Sequence, residues 1–184
     1  MSPRLREAIP DDAEAIAAVA ADAWWAAASS ALTADAVRTA LSDLYDEAFL
    51  REVAAEAAAE EEFRFLVAVD GAGGEDGKNG AGDEEGEVVG FASAAREWAD
   101  EAELFTLYVD PDHWDEGIGT ALLEALSSWA TDRGAERLVC SALADNTVAV
   151  AFLESRGFER AREVEAEVGG ESVPEYEFEL SLSG

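Results

Sequence analysis

Lysine is almost missing from this chain. Of its 12 basic residues only Lys78 is a lysine, against 42 aspartates and glutamates, for a formal net charge of −30. That balance leaves no basic stripe to neutralise phosphates, so nucleic acid is excluded as a partner. Cysteine is down to Cys140, which excludes an intrachain disulfide framework; its apolar surroundings in sequence predict a buried structural thiol. The sole histidine, His113, has no metal-ligand neighbours at suitable spacing and reads as a surface turn residue, so no metal site is expected. Uninterrupted hydrophobic runs are missing too. The alanine-rich stretch 13–31 is broken by Glu14 and Asp22, which argues against a membrane span. No basic region followed by an apolar stretch opens the sequence, so a secretory signal is not expected and a cytoplasmic location is.

What is present is enough apolar material for a core. Hydrophobic residues make up 49% of 184 residues, which fits one well-buried domain over 1–184 and not two. The acids are spread along the chain and form no single tail, so they read as a solvated shell suited to a salt-rich cytoplasm more than as a surface for a basic partner. At about 1 M salt the Debye length is about 3 Å, which screens such self-repulsion; in dilute buffer the same charge destabilises the compact state.

Leu5 to Ile9 reads as a strand ended by Pro10, and Asp11 with Glu14 as a capping-box-like start to a helix reaching Ala28. Thr33 caps a second helical region that runs with interruptions to Glu60. Phe63, Phe65, Val67 and Val69 alternate as a strand. Residues 70–87 are a glycine-rich acidic loop with few side chains able to bury anything, expected to be flexible and to join two antiparallel strands. The following run, 87–95, is the second of these. Leu104–Val109 is a further strand and Gly117–Arg133 a helix with Leu122, Leu126, Trp129 and Ala130 on one face, stopped by Gly134. Leu138–Leu143 is a strand, Thr147–Arg156 a helix, and two alternating segments around Gly169-Gly170 form a closing hairpin. The order β-α-α-β-β-β-α-β-α-β-β describes an α/β domain with a mixed sheet and helices on both faces.

Two blocks carry chemistry. Leu107 to Gly119 is a strand, a proline turn and paired glycines opening a helix; such a junction leaves backbone N–H groups pointing outward and suits a phosphate or pyrophosphate. The second block starts at Asn146 and ends at Gly157-Phe158. A Rossmann dinucleotide site fails on detail, because its third glycine would be Leu122 and the glycines follow the fourth strand, not the first.

Together the blocks resemble the GNAT superfamily of acetyl-CoA-dependent N-acetyltransferases. The cofactor loop of that family, Arg or Gln, two residues, Gly, one residue, Gly or Ala, corresponds to Trp114-Asp-Glu-Gly117-Ile-Gly119. Its second motif corresponds to Asn146, Ala149, Phe152-Leu153 and Gly157-Phe158. The resemblance implies a mostly antiparallel sheet in which the fourth and fifth strands splay apart. It implies that backbone N–H groups from Asp115 through Glu116, Gly117, Ile118 and Gly119 to Thr120 bind the pyrophosphate of coenzyme A. It places pantetheine along the edge at Leu107 and Val109, hydrogen-bonded by Asn146 and packed beside Phe152. Trp24 and Trp25 fall where relatives wall the acceptor pocket, with one of the two expected in the core.

This chain departs from the pattern at Trp114, where Arg or Gln is usual, and at Leu153, where many relatives carry a tyrosine that protonates the departing thiolate. Asp115 and Glu116 add negative charge beside the expected pyrophosphate. Glu103 is the candidate base, ahead of Glu101, and Tyr108 the substitute acid if its face of the strand meets the thioester. The implied reaction moves an acetyl group from acetyl-CoA directly to a primary amine, small or on a protein, without a metal. A catalytically inactive acyl-CoA-binding module is the alternative, and the resemblance is compatible with a homodimer through the last strands.

Overall fold

The computed structural model describes residues 3–70 and 86–183. Most of the acidic loop predicted over 70–87 thus lies outside the described residues. Strands β1 (Arg4–Glu7), β2 (Phe63–Asp70), β3 (Glu87–Arg96), β4 (Glu101–Val109), β5 (Arg137–Leu143), β6 (Glu159–Val168) and β7 (Glu171–Ser181) form one sheet in the order β1-β2-β3-β4-β5-β7-β6. Only β4 and β5 run parallel; every other pair is antiparallel. The helices are α1 (Ala13–Ala27), α2 (Ala34–Leu44), α3 (Glu47–Ala59), α4 (Ile118–Asp132) and α5 (Thr147–Ser155).

Alternation along the strands decides which helices cover which face. On β2, Phe65, Val67 and Val69 join a core with residues of α1, α2 and α3. Leu66 and Ala68, pointing the other way, join a second core with residues of α4 and α5. Period-two side chains thus bury the sheet on both sides, as predicted. On α4 the predicted stripe of Leu122, Leu126, Trp129 and Ala130 is buried throughout.

Two local readings change. The second helical region is two helices: Tyr45 closes α2, and the Asp46 carboxylate accepts hydrogen bonds from the N–H groups of Ala48 (3.0 Å) and Phe49 (3.2 Å) to start α3. At the start of α1 the work falls to Asp12 instead of Asp11 and Glu14. Its carboxylate takes the Ile9 N–H at 2.9 Å and two bonds from the Arg6 guanidinium at 2.7 and 2.9 Å. Pro10 forces a 3₁₀ turn over 10–12 that shifts the helix start by one residue.

The site is prepared by two irregularities in β4. Ala94 pairs with Leu104 but Ser93 pairs with Thr106, so Phe105 is an extra residue in the strand. Such a bulge bends the strand and resets its alternation. Glu103, Thr106 and Tyr108 consequently lie opposite Ala95, Ser93 and Phe91, all on the face beneath α1. Without the bulge, Glu103 and Tyr108, five positions apart, would point to opposite faces. The second irregularity is that β4–β5 pairing covers only Glu101 to Glu103, against Arg137 to Val139, and then stops.

Candidate active site

Where β4 and β5 part, a cavity of about 780 Å³ opens between β4, the start of α4 and α5. The N–H of Asp110 bonds to the carbonyl of Val89 at 2.8 Å, so alternation turns the backbone groups of Val109 and Leu107 toward the open edge. The predicted splay is therefore present, with a free stretch of strand edge along it. One of its acceptors is already used, since the Trp114 indole N–H donates to the Val109 carbonyl at 2.9 Å. Trp114 thus fastens the loop to the strand at the position where a basic or amide side chain was expected.

The loop that follows is built for exposed amides. Asp115 (φ 65°) and Gly117 (φ 83°) both adopt left-handed backbone, and Gly117 is the residue that caps α4. Nothing lies within 4 Å of where a Gly117 Cβ would stand, so glycine is required there by conformation and not by crowding. Gly119 is the opposite case, with unexceptional φ. A Cβ there would stand 3.4 Å from two Phe152 ring atoms and 3.8 Å from Val109 Cγ2, filling the space between the strand edge and α5. The first turn of α4 therefore presents its N–H groups into the cavity, a cradle that fits a diphosphate. Of the two flanking carboxylates, Glu116 is engaged by the loop, accepting from His113 Nδ1 at 3.0 Å, a bond that raises the His113 pKa, while Asp115 lines the cavity.

From α5, Asn146 caps the helix by accepting the Ala149 N–H at 3.1 Å, which leaves its amide NH₂ on the cavity wall. Phe152 and Leu153 line the same wall, Leu153 being also buried in the core. The Arg156 guanidinium lies over the Phe152 ring, 5.6 Å from its centroid. Among the described residues it is the single arginine of this cavity's lining, and it makes no ion pair there.

A second cavity of about 250 Å³ shares a wall with the first, including Leu104, Phe105, Tyr108, Ser141 and Asn146. Glu103 opens onto this smaller space and not onto the larger one, with Trp24, Tyr45 and Glu175. Burial raises the Glu103 pKa, helped by Glu97, Glu101 and Glu177; burial also raises that of Glu175. Tyr108 lines both cavities, and burial raises its phenol as well. It also packs, with ring centroids 5.6 Å from Phe91 and 5.9 Å from Tyr45, so packing and cavity-lining coincide in one side chain.

The structure therefore brings Leu107, Val109, Asp115, Gly117, Ile118, Gly119, Thr120, Asn146 and Phe152 to one cavity. Glu116 stands beside it, held by His113. Glu101 is not at the site; it pairs with Arg137 at 2.7 Å. Trp24 is buried and walls the smaller cavity, whereas Trp25 is 38% exposed beneath Arg38. His113 reaches the larger cavity from its turn. Sequence reasoning missed Arg156, Tyr45, Ser141 and Glu175. Arg156 was findable, being four residues after Phe152 on one helix. Glu175 was not, because its place depends on β7 pairing with β5, where it lies opposite Leu143.

Among the described residues no helix is long and apolar enough to cross a membrane. The chain resembles in fold the PaiA N-acetyltransferase of Thermoplasma acidophilum, solved in complex with coenzyme A (TM-score 0.78, 19% identity, 98% of this chain and 99% of that one). It also resembles the acetyltransferase YncA of Salmonella typhimurium, solved with acetyl-CoA (TM-score 0.67, 21% identity, 100% and 96%). It is 45% identical over 62 residues to the ribosomal protein bS18-alanine N-acetyltransferase of Escherichia coli, a match covering 34% of this chain and 42% of that protein. The chain thus spans under half the length of the curated relative it matches. The sequence model of the acetyltransferase (GNAT) family matches residues 34–158, more than half of the molecule, and the chain belongs to that family.

Proposed function

We propose that the protein transfers an acetyl group from acetyl-CoA to a primary amine in a single direct step. The observation that carries this reading is the shared wall between two cavities: one fitted to a diphosphate and an extended arm, the other small and holding a carboxylate. Acetyl-CoA lies in the larger cavity, its pyrophosphate on the N–H groups of 115–120 and its pantetheine along Leu107 and Val109 opposite Phe152, with the Asn146 NH₂ donating to the arm. Arg156 supplies a positive charge that the loop itself lacks. The amine enters from the smaller cavity and meets the thioester at the common wall.

The neutral amine nitrogen attacks the thioester carbonyl carbon. The C–N bond forms, the C–S bond breaks, and coenzyme A leaves as thiolate. The proton released by nitrogen passes to Glu103, directly or through one water. Its raised pKa makes it a better base than an ordinary surface glutamate, because the proton it accepts is held more firmly. Leu153 cannot protonate the thiolate, and Tyr108 is the phenol on the common wall that can. A thiol with pKa near 8.5 also leaves without assistance, so the missing acid slows the step without forbidding it.

The test is thiol release from acetyl-CoA across a panel of primary amines in about 2 M KCl, with wild type and Glu103→Gln. Amine-dependent release is expected, falling about 10²-fold in the variant with the acidic limb of its pH profile gone. Tight acetyl-CoA binding with no release on any amine would instead favour a binding module.

A further inference from the structure

Acetyl transfer places charge on an atom that needs its own partner. As nitrogen attacks, the carbonyl oxygen of the acetyl group becomes negative and calls for a hydrogen-bond donor. Glu103 accepts a proton, Tyr108 serves the sulfur, and the Ser141 hydroxyl is engaged by Glu175. One further hydroxyl reaches the larger cavity from β4, that of Thr106. The Phe105 bulge sets Thr106 opposite Ser93 on β3, and the two side-chain oxygens stand 2.7 Å apart. Such a pair has two protons and one bond. Ser93 is 5% exposed, enclosed between Phe65 on β2 and Thr106 on β4. If Thr106 donated, the Ser93 proton would be left in that buried space without a good acceptor, which is costly. With Ser93 donating, the buried hydroxyl is satisfied and half-buried Thr106 keeps a proton free to point into the cavity.

We infer that the Thr106 hydroxyl donates to the acetyl carbonyl oxygen in the transition state, with Ser93 as the residue that positions it. The inference rests on the acetyl-transfer reading and adds a catalytic residue to it. Thr106 lies one residue beyond the bulge, on the face that carries Glu103 and Tyr108. It is flanked along the strand by Leu104, Phe105 and Tyr108, which belong to the wall shared by both cavities. The carbonyl π electrons move onto oxygen as the C–N bond forms and return as the C–S bond breaks. Thr106 keeps its proton throughout, so the proton transfers at Glu103 and Tyr108 are unchanged. A donor fixed by a buried partner does not reorient as the charge develops, whereas water in the same place must.

The experiment removes both hydroxyls at once, because Thr106→Val alone strands Ser93. In the double variant Ser93→Ala with Thr106→Val, apolar groups replace both partners, so the thermal midpoint should stay close to that of wild type. The acetyl-CoA dissociation constant should change by less than about twofold, while kcat with a primary amine falls about 10²-fold. Thr106→Ser, which keeps a hydroxyl at the same register, should recover most of that loss, and Ser93→Ala alone should cost less than the double variant. A kcat in the double variant within about threefold of wild type overturns the inference. So does a loss in Thr106→Ser as large as in the double variant, or a loss confined to acetyl-CoA affinity. Infrared spectra of bound acetyl-CoA, isotope-labelled at the acetyl carbonyl, give a readout that needs no acceptor. The carbonyl stretch should lie lower in wild type than in the double variant, because a donated hydrogen bond weakens the C=O bond. If it does and no amine is acetylated, the Thr106 assignment stands and the transferase reading falls. If amines are acetylated while neither the stretch nor kcat responds to Thr106, the transferase reading stands and the assignment falls.

Discussion

At the scale of single residues, the sign of a pKa shift separates a working carboxylate from a structural one. The fold raises Glu103 by burial and by Glu97, Glu101 and Glu177, so the native state binds its proton more tightly than the unfolded chain does. Stability therefore falls as pH rises through the shifted range, and the ionised form at neutral pH is a cost to the fold. Glu103→Gln should accordingly raise the thermal midpoint at pH 7 and lose that gain below pH 4, while acetyl transfer drops. A variant that loses both stability and activity would make Glu103 structural. Cys140 is shifted in the same direction by the same cause, but it is neutral at pH 7, so its shift suppresses reactivity. Burial, with a contribution from Glu103, pushes its thiol up to about 12. At pH 8 only about one molecule in 10⁴ then carries the reactive thiolate. Iodoacetamide should leave native protein unlabelled for hours at pH 8 and label it fully after unfolding. Rapid native labelling would show that the thiol is not held in the core.

At the scale of elements, the two glycines of the α4 start predict different failures. Gly117→Ala keeps the space open but forces a Cβ into left-handed backbone at φ 83°, costing about 1–2 kcal/mol of stability. Acetyl-CoA affinity should fall by less than about tenfold once the protein is folded. Gly119→Leu adds bulk against Phe152 and Val109, in the space assigned to the pantetheine arm. Its acetyl-CoA dissociation constant should rise by more than about tenfold with a smaller loss of stability. Calorimetry and thermal melts on the pair read the difference; if both variants lose stability and affinity in the same ratio, the separate roles fail. The glycines, the strand before them and the α5 cap at Asn146 were legible because helix starts and strand alternation are written locally. The split of α2 from α3 at Tyr45-Asp46 was obscured by alanine, which favours helix on both sides of the break. The bulge at Phe105 left no mark, since an extra residue looks like ordinary alternation until β3 is laid beside it. Without the bulge, neither the common face of Glu103 and Tyr108 nor the second cavity could be inferred.

At the scale of the whole molecule, the governing fact is a −30 chain that must attract a cofactor bearing several negative charges. Arg156 over Phe152 is the arginine of the larger cavity's lining, and Asp115 lines that cavity with Glu116 close beside it. At about 0.1 M salt the Debye length is about 10 Å, so carboxylates beyond the loop still repel the ligand. At about 1 M it is about 3 Å, and only contacts as short as the hydrogen bonds from the α4 amides survive. Salt thus removes more repulsion than attraction. Affinity for acetyl-CoA should rise severalfold from about 0.1 to 2 M KCl, the reverse of a site built on lysines. In Arg156→Ala the rise should be steeper, because the lost cation contributes most at low salt. Calorimetry across the series, with far-ultraviolet circular dichroism showing unchanged fold at each KCl concentration, measures both slopes. A steady weakening with salt in folded protein would mean that side-chain charge, and not the backbone cradle, holds the diphosphate.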